Sequence, residues 1–203
     1  MTQIPARQNF VDAYAGDAPW DIGRPQAAFL AIADHVVSPV LDAGCGTGDI
    51  ALELTARGYQ VSGFDYLDEP IRRAKAKAAD RGLAADFRVA DALSLTDWPE
   101  RFNTVVDSGL FHVFSDDDRR RYVAGLAHVV NPGGRLFMMC FSDEEPGDFG
   151  PRRISQKELQ TAFADSWTIE SIDPARFETN PKFMGATFSP GGPKSWFVTA
   201  QRI

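Results

Sequence analysis

Short apolar runs of strand character alternate with stretches of helical period along almost the whole chain, and that alternation leaves few architectures open. Strand runs fall at 40–43, 60–64, 85–89, 102–106, 135–141, 167–172 and 195–200. Between them lie segments whose apolar residues recur every three to four positions. Pro25 suits the first position of a helix that continues through Phe29, Leu30, Ile32, Ala33 and Val36 until Pro39 stops it. Ile50, Ala51, Leu52 and Leu54 mark a helix ending at Gly58, and Asp68-Glu69-Pro70 opens another that Gly82 closes. Ser115 caps a helix with Asp116, Asp117 and Asp118 in its first turn, running past Val123, Leu126 and Val130 to Asn131-Pro132-Gly133-Gly134. Ser155 and Glu158 form a capping box for a helix through Phe163. Strand–helix alternation predicts an α/β fold: a doubly wound, mostly parallel seven-stranded sheet with helices on both faces. The last two strands have only the loop 178–193 between them, so they are expected to pair antiparallel at one edge.

Ahead of this pattern, residues 5–14 suit a short amphipathic helix with Phe10, Val11 and Tyr14 on one side, and 15–24 read as a loop around Trp20. The expectation is one domain over 1–203, with 1–36 as a helical lid within it; its length fits a single core. Hydrophobic residues at 44% and charged residues at 24% exclude a disordered chain. The net charge of −7 argues against a nucleic-acid partner, since such a surface repels phosphates. The arginine run 119–121 directly follows three aspartates and makes no basic patch. Cys45 and Cys140 point to neither a disulfide framework nor a zinc site, and no metal site is expected. The absence of a membrane-span pattern and of a signal-peptide pattern leads to a cytoplasmic expectation; oligomeric state stays open.

In an open parallel sheet, ligands bind at the carboxyl ends of the strands where strand order reverses. The first strand ends Val40-Leu41-Asp42-Ala43-Gly44-Cys45-Gly46-Thr47-Gly48, a turn that lets a ligand approach the backbone closely. A dinucleotide fingerprint starting at Gly44 needs glycine at 49, where this chain has Asp49; the lysine of a phosphate loop is also missing. Asp42 beside the turn disfavours a pyrophosphate and favours a cationic ligand, so an adenosine compound without phosphates fits. Asp65 ends the second strand, where a carboxylate can accept both ribose hydroxyls. Asp91-Ala92 follows the third strand, within reach of an adenine amino group. Each acid alone reads as a cap or turn residue; three at the ends of consecutive strands converge on one crevice.

Residues 40–49 with Asp65, Asp91-Ala92 and Asn131-Pro132-Gly133-Gly134 resemble the class I S-adenosylmethionine-dependent methyltransferases, a likeness spanning nearly all of the chain after Trp20. The resemblance implies that Gly44, Gly46 and Gly48 approach the methionine portion of S-adenosylmethionine. It further implies that Asp65 binds ribose, that Asp91 binds adenine, and that Asp42 orients the loop or the amino group. Trp20, Gly23, Tyr66, Ala92 and Asp107 complete the expected cofactor set. Pro19-Trp20-Asp21-Ile22-Gly23-Arg24-Pro25-Gln26 resembles the N-terminal segment of thiopurine-type and related small-molecule methyltransferases, and Gly150-Pro151-Arg152-Arg153-Ile154-Ser155 a group acting on heterocyclic toxins and quinolones. The fourth-strand end, Asp107-Ser108-Gly109-Leu110-Phe111-His112, lacks the Asn/Asp-Pro-Pro-aromatic segment of nucleic-acid amino methyltransferases.

What this implies is methyl transfer to O, N or S of a small, aromatic or heterocyclic acceptor. His112 is the candidate general base, because its unperturbed pKa lies near neutrality, against a structural role beneath the following helix. Tyr14, Phe111, Phe149, Arg152 and Arg153 are the candidate acceptor contacts; the aromatics suit a flat apolar ring and the arginines an acidic one. Two other classes remain. A non-catalytic S-adenosylmethionine-binding regulator would keep the loop with a closed acceptor pocket, and a nicotinamide-dependent oxidoreductase calls for the glycine that position 49 lacks.

Overall fold

The computed structural model describes residues 6–16, 18–183 and 188–203. Seven strands form one sheet: β1 (Val40–Ala43), β2 (Val61–Asp65), β3 (Asp86–Val89), β4 (Phe102–Ser108), β5 (Val130–Phe141), β6 (Trp167–Arg176) and β7 (Lys194–Arg202). Their order is β3-β2-β1-β4-β5-β7-β6. All pairings from β3 through β5 are parallel, while β7 runs antiparallel to both β5 and β6. The expected antiparallel pair is present, with β7 inserted between β5 and the edge strand β6. Strand order reverses between β1 and β4, so the ligand crevice lies above those two carboxyl ends.

The helices are α1 (Arg7–Ala15), α2 (Ala27–Ala31), α3 (Asp49–Ala56), α4 (Asp68–Arg81), α5 (Asp116–Val129) and α6 (Gln156–Phe163). Along β5, Leu136, Met138 and Cys140 face a core with Tyr122, Leu126 and Phe163, while Phe137, Met139 and Phe141 face one built on α2, α3 and α4. Both faces are covered, which is why the strands read as continuous apolar runs rather than alternating ones. A third cluster, Tyr14, Ala18 and Leu67, holds the N-terminal segment over the end of β2.

Several boundaries differ from the sequence reading. The segment beginning at Pro25 is helical only over α2, followed by a 3-10 turn at Ala33–His35. The Asn131-Pro132-Gly133-Gly134 turn belongs to the start of β5, with an irregular register opposite Phe102 and Thr104. Strands β6 and β7 extend beyond their apolar cores because the hairpin pairs them as far as Arg176 and Lys194. A 3-10 helix, Ala92–Asp97, was not anticipated; Asp91 caps it by accepting from Leu93 N–H. Pro5, the expected start of the first helix, lies outside the described residues.

Candidate functional site: the crevice at the ends of β1, β2 and β4

The loop from β1 to α3 is built by backbone geometry. Gly44, Gly46 and Gly48 have φ of 68°, 53° and 82°, a region that other residues adopt only under strain. Their surroundings divide their roles. A Cβ on Gly44 would meet Leu110 at 3.1 Å, and one on Gly48 would meet Phe87 and Ala74 at 2.8 and 2.9 Å, so both allow close internal packing. Only at Gly46 would a Cβ meet the crevice itself, 2.8 Å from the Tyr14 hydroxyl. Cys45 N–H donates to the Phe64 carbonyl and fixes the loop to β2.

Three expected acids lie around this loop, in different states. Asp42 is buried beneath it and accepts from Ala51 N–H at 3.0 Å. Burial pushes its carboxyl up to about 7, against the pull of that hydrogen bond. It braces the first turn of α3 from below. Asp65, at the end of β2, accepts from Leu67 N–H at 3.0 Å, and desolvation raises it to about 6. Asp91 is exposed, and one of its oxygens caps the following turn by accepting from Leu93 N–H. Ala92 beside it is buried.

Asp107 departs from the expected cofactor role. It is fully buried, and both its oxygens are taken, by Leu110 N–H (2.7 Å), Phe111 N–H (3.1 Å) and the Tyr122 hydroxyl (2.9 Å). Burial pushes it up to about 7. Its function is to fold the β4 end into the tight turn that sets Leu110 against Gly44.

The N-terminal segment crosses the crevice mouth. Tyr14 is buried, its hydroxyl accepting from Trp20 Nε1–H at 3.1 Å; it lies at the cofactor loop rather than deeper toward an acceptor. Arg73 of α4 donates to the Tyr14 carbonyl at 2.7 Å, and Asn180 N–H donates to the Pro19 carbonyl at 2.8 Å. Tyr66 is half-buried against Phe10, and Gly23 turns the exposed chain with φ of 71°. A polar latch with no local signal in the chain closes this end: Thr47 donates to Asp21 at 3.2 Å, and Lys77 donates to Thr47 and Asp49, both at 2.8 Å.

His112 is buried, and its Nδ1 accepts from Phe141 N–H at 3.0 Å. The neutral ring therefore carries its proton on Nε2. Desolvation, with smaller contributions from Arg153 and Arg119, lowers its pKa to about 3. A general base needs a free lone pair and affinity for a proton, and this imidazole has neither; the expected base role does not fit. Three acceptor candidates are likewise committed elsewhere. Phe111 is fully buried, stacked on Phe163 and under Arg119. Arg152 bridges Asp116 and Glu158 at the starts of α5 and α6. Arg153 donates to the carbonyls of Glu145, Phe149 and Pro151 and covers the Phe141 ring at 5.0 Å.

Phe149 does lie at a rim. It is 47% exposed, and a run of rings leads inward from it: Phe149 to Phe183 and Phe188, Phe188 to Phe141, Phe141 to Phe177 and His112, at centroid distances of 5.2–6.0 Å. Phe141, Phe177 and Phe188 escaped sequence reasoning, because nothing local separates a wall residue from a core one.

A sheet of this order, with a glycine loop after β1, a carboxylate ending β2 and no phosphate-binding lysine, defines an S-adenosylmethionine-binding fold. The residues suit the cofactor: a backbone cradle that a Cβ at Gly46 would crowd, beside the Asp65 carboxyl at the end of β2. Comparisons agree. A methyltransferase domain model matches residues 40–134. The chain is 36% identical over 196 residues, covering 90% of itself and 85% of the relative, to the 2-heptyl-1-hydroxyquinolin-4(1H)-one methyltransferase of Mycobacteroides abscessus. A structure solved in work on conversion of a disulfide bond into a thioacetal group during echinomycin biosynthesis superposes with TM-score 0.84 at 37% identity, covering 97% of this chain and 93% of that one. The N-methyltransferase NodS of Bradyrhizobium japonicum, bound to S-adenosylhomocysteine, shares the fold with TM-score 0.72 at 18% identity, over 96% and 97% of the two chains. This chain belongs to the S-adenosylmethionine-dependent methyltransferases and is an enzyme of small-molecule type. No helix among the described residues is long and apolar enough to cross a membrane.

Proposed function

We propose that the enzyme methylates a small, flat aromatic or heterocyclic molecule rather than a nucleic acid, and does so in the cytoplasm. The run of rings from Phe149 to His112 carries this reading. Its outer rings, Phe149, Phe183 and Phe188, are exposed or half-buried and present apolar faces, its buried inner rings reach the β4 turn, and that turn packs on the cofactor loop through Leu110 and Gly44. The quinolone substrate in the name of the Mycobacteroides relative belongs to the same chemical class. The acidic net charge supports the exclusion of nucleic acid, and two free thiols support a reducing compartment.

In this reading, Asp65 holds the ribose hydroxyls, Gly46 admits the methionine portion, and Asp91 with Ala92 faces the adenine. Trp20 and Tyr14, on the segment within 1–36, close over them as a lid. When bound, S-adenosylmethionine supplies a methyl already activated by its sulfonium. The chain's own work is then alignment and exclusion of water. Binding of acceptors in the presence of S-adenosylhomocysteine, followed by ligand-detected NMR, tests the class. Hydroxyquinolines and flat phenols should bind, while short aliphatic thiols and oligonucleotides should not; the reverse order would overturn the assignment.

A further inference from the structure

His112 stands at the inner end of the aromatic run, yet its imidazole is not set up to take a proton. Its Nδ1 lone pair is held by Phe141 N–H, so Nε2 presents an N–H. No described residue pairs with Nε2, and Nε2 is absent from the fully enclosed, unpartnered polar atoms, which include Arg119 Nε. Gly109, with φ of 97°, keeps that edge of the ring uncovered; a Cβ there would lie 3.4 Å from Nε2. The ring is flanked by Phe141 and Phe177, at the inner end of the aromatic run.

Two arginines lie near this ring, Arg119 of α5 and Arg153 of the loop before α6. Arg119 pairs with Asp116 and Glu158, each at 3.7 Å, and Arg153 donates to the carbonyls of Glu145, Phe149 and Pro151. Both guanidiniums thus have partners, and Nε2–H is the donor that this end of the run offers.

We infer that the acceptor binds as its anion, the ionised oxygen or sulfur of an acidic heteroaryl hydroxyl or thiol, with His112 Nε2–H donating to the atom that takes the methyl. This deepens the proposed function and rests on its small aromatic acceptor. The acceptor loses its proton to solvent before it binds. Its lone pair then forms the new bond to the methyl carbon as the carbon–sulfur bond of the sulfonium breaks, and the electron pair of that bond stays on sulfur. Anion and sulfonium become two neutral products, and no protein group receives a proton. Specificity follows: acidic acceptors react and aliphatic alcohols do not. A donor to a charged atom in a water-poor pocket is a strong one.

The test is the pH dependence of kcat/KM for two hydroxyaryl acceptors of the same skeleton, one carrying an electron-withdrawing group, with wild type, His112→Gln and His112→Phe. The acid limb should sit at each acceptor's own pKa and move between the two. Gln, which retains an N–H near the position of Nε2, should keep kcat/KM within about tenfold, whereas Phe should lose about 10²-fold with S-adenosylhomocysteine affinity unchanged. An acid limb at one fixed pH for both acceptors in the wild type, abolished in the Gln variant, would overturn the proposal and restore a titrating base. That wild-type measurement stands even if a variant fails to fold. Transfer to aliphatic alcohols but to neither aryl acceptor would instead overturn the reading of the acceptor class, and this proposal with it.

Discussion

Asp65 ends β2 directly beside the glycine loop, where the proposed function places the ribose. Its expected consequence is concrete. Asp65→Ala should weaken S-adenosylhomocysteine binding at least tenfold by calorimetry, as charge-assisted hydrogen bonds worth about 1.5–3 kcal/mol each are removed. Because desolvation raises the Asp65 carboxyl to about 6, wild-type affinity should fall as pH drops through that value, when the acceptor oxygens gain a proton. Unchanged affinity in the variant, or a flat profile from pH 5 to 8, would remove Asp65 from the ribose. His112 was not legible. The partner that sets its tautomer, Phe141 N–H, lies 29 positions away in sequence, and the same holds for Arg152, whose partner Asp116 is 36 positions distant. Long-range pairing of this kind leaves no local trace.

Among the elements, those with local causes were found and those set by packing were missed. The Ser155–Glu158 capping box and the Ser115 cap are present with their expected bonds, since both are contained within four residues. The shortening of the helix after Pro25 and the extension of β6 and β7 depend on contacts across the fold. Among the described residues, the segment α1 with the loop to Arg24 is tied to the rest of the chain by Arg73 to the Tyr14 carbonyl, Asn180 to the Pro19 and Ala18 carbonyls, the Thr47–Asp21 latch and the exposed Arg24–Glu178 pair. A segment so tethered opens at low free-energy cost. Amide exchange over residues 7–24 should therefore be fast in the free protein and slow several-fold with S-adenosylhomocysteine. Equal exchange in both states would contradict a lid.

For the whole molecule, the seven-stranded, mostly parallel sheet with helices on both faces and an antiparallel last strand followed from strand–helix alternation, while the insertion of β7 between β5 and β6 and the cost of the buried acids did not. Asp42 and Asp107 lie buried near one another, each pushed up to about 7. A carboxyl raised in the folded state stabilises the fold most below its unfolded pKa, and this contribution is lost as pH rises through the folded value. Carboxylates lowered by arginines, such as Asp116 and Glu178, act oppositely but have reached full effect above about pH 5. His112, lowered by burial, adds stability up to its unfolded pKa near 6.5. Comparing wild type with Asp42→Asn isolates one acid. From pH 4 to 8 the wild type should lose stability relative to the variant, by at most about 4 kcal/mol, in denaturant unfolding; a difference independent of pH would refute the buried ionisation.

If the glycine loop and the aromatic run form one transfer site, isotopic methyl transfer will show it. Purified protein is incubated with S-adenosylmethionine deuterated at the methyl group and a 1-hydroxyquinolin-4-one, and both products are followed by mass spectrometry. A deuteromethylated quinolone and S-adenosylhomocysteine should form in equal amounts. Tight cofactor binding with no labelled product from this acceptor or from a panel of hydroxyaryl and heteroaryl thiol compounds would contradict a single transfer site.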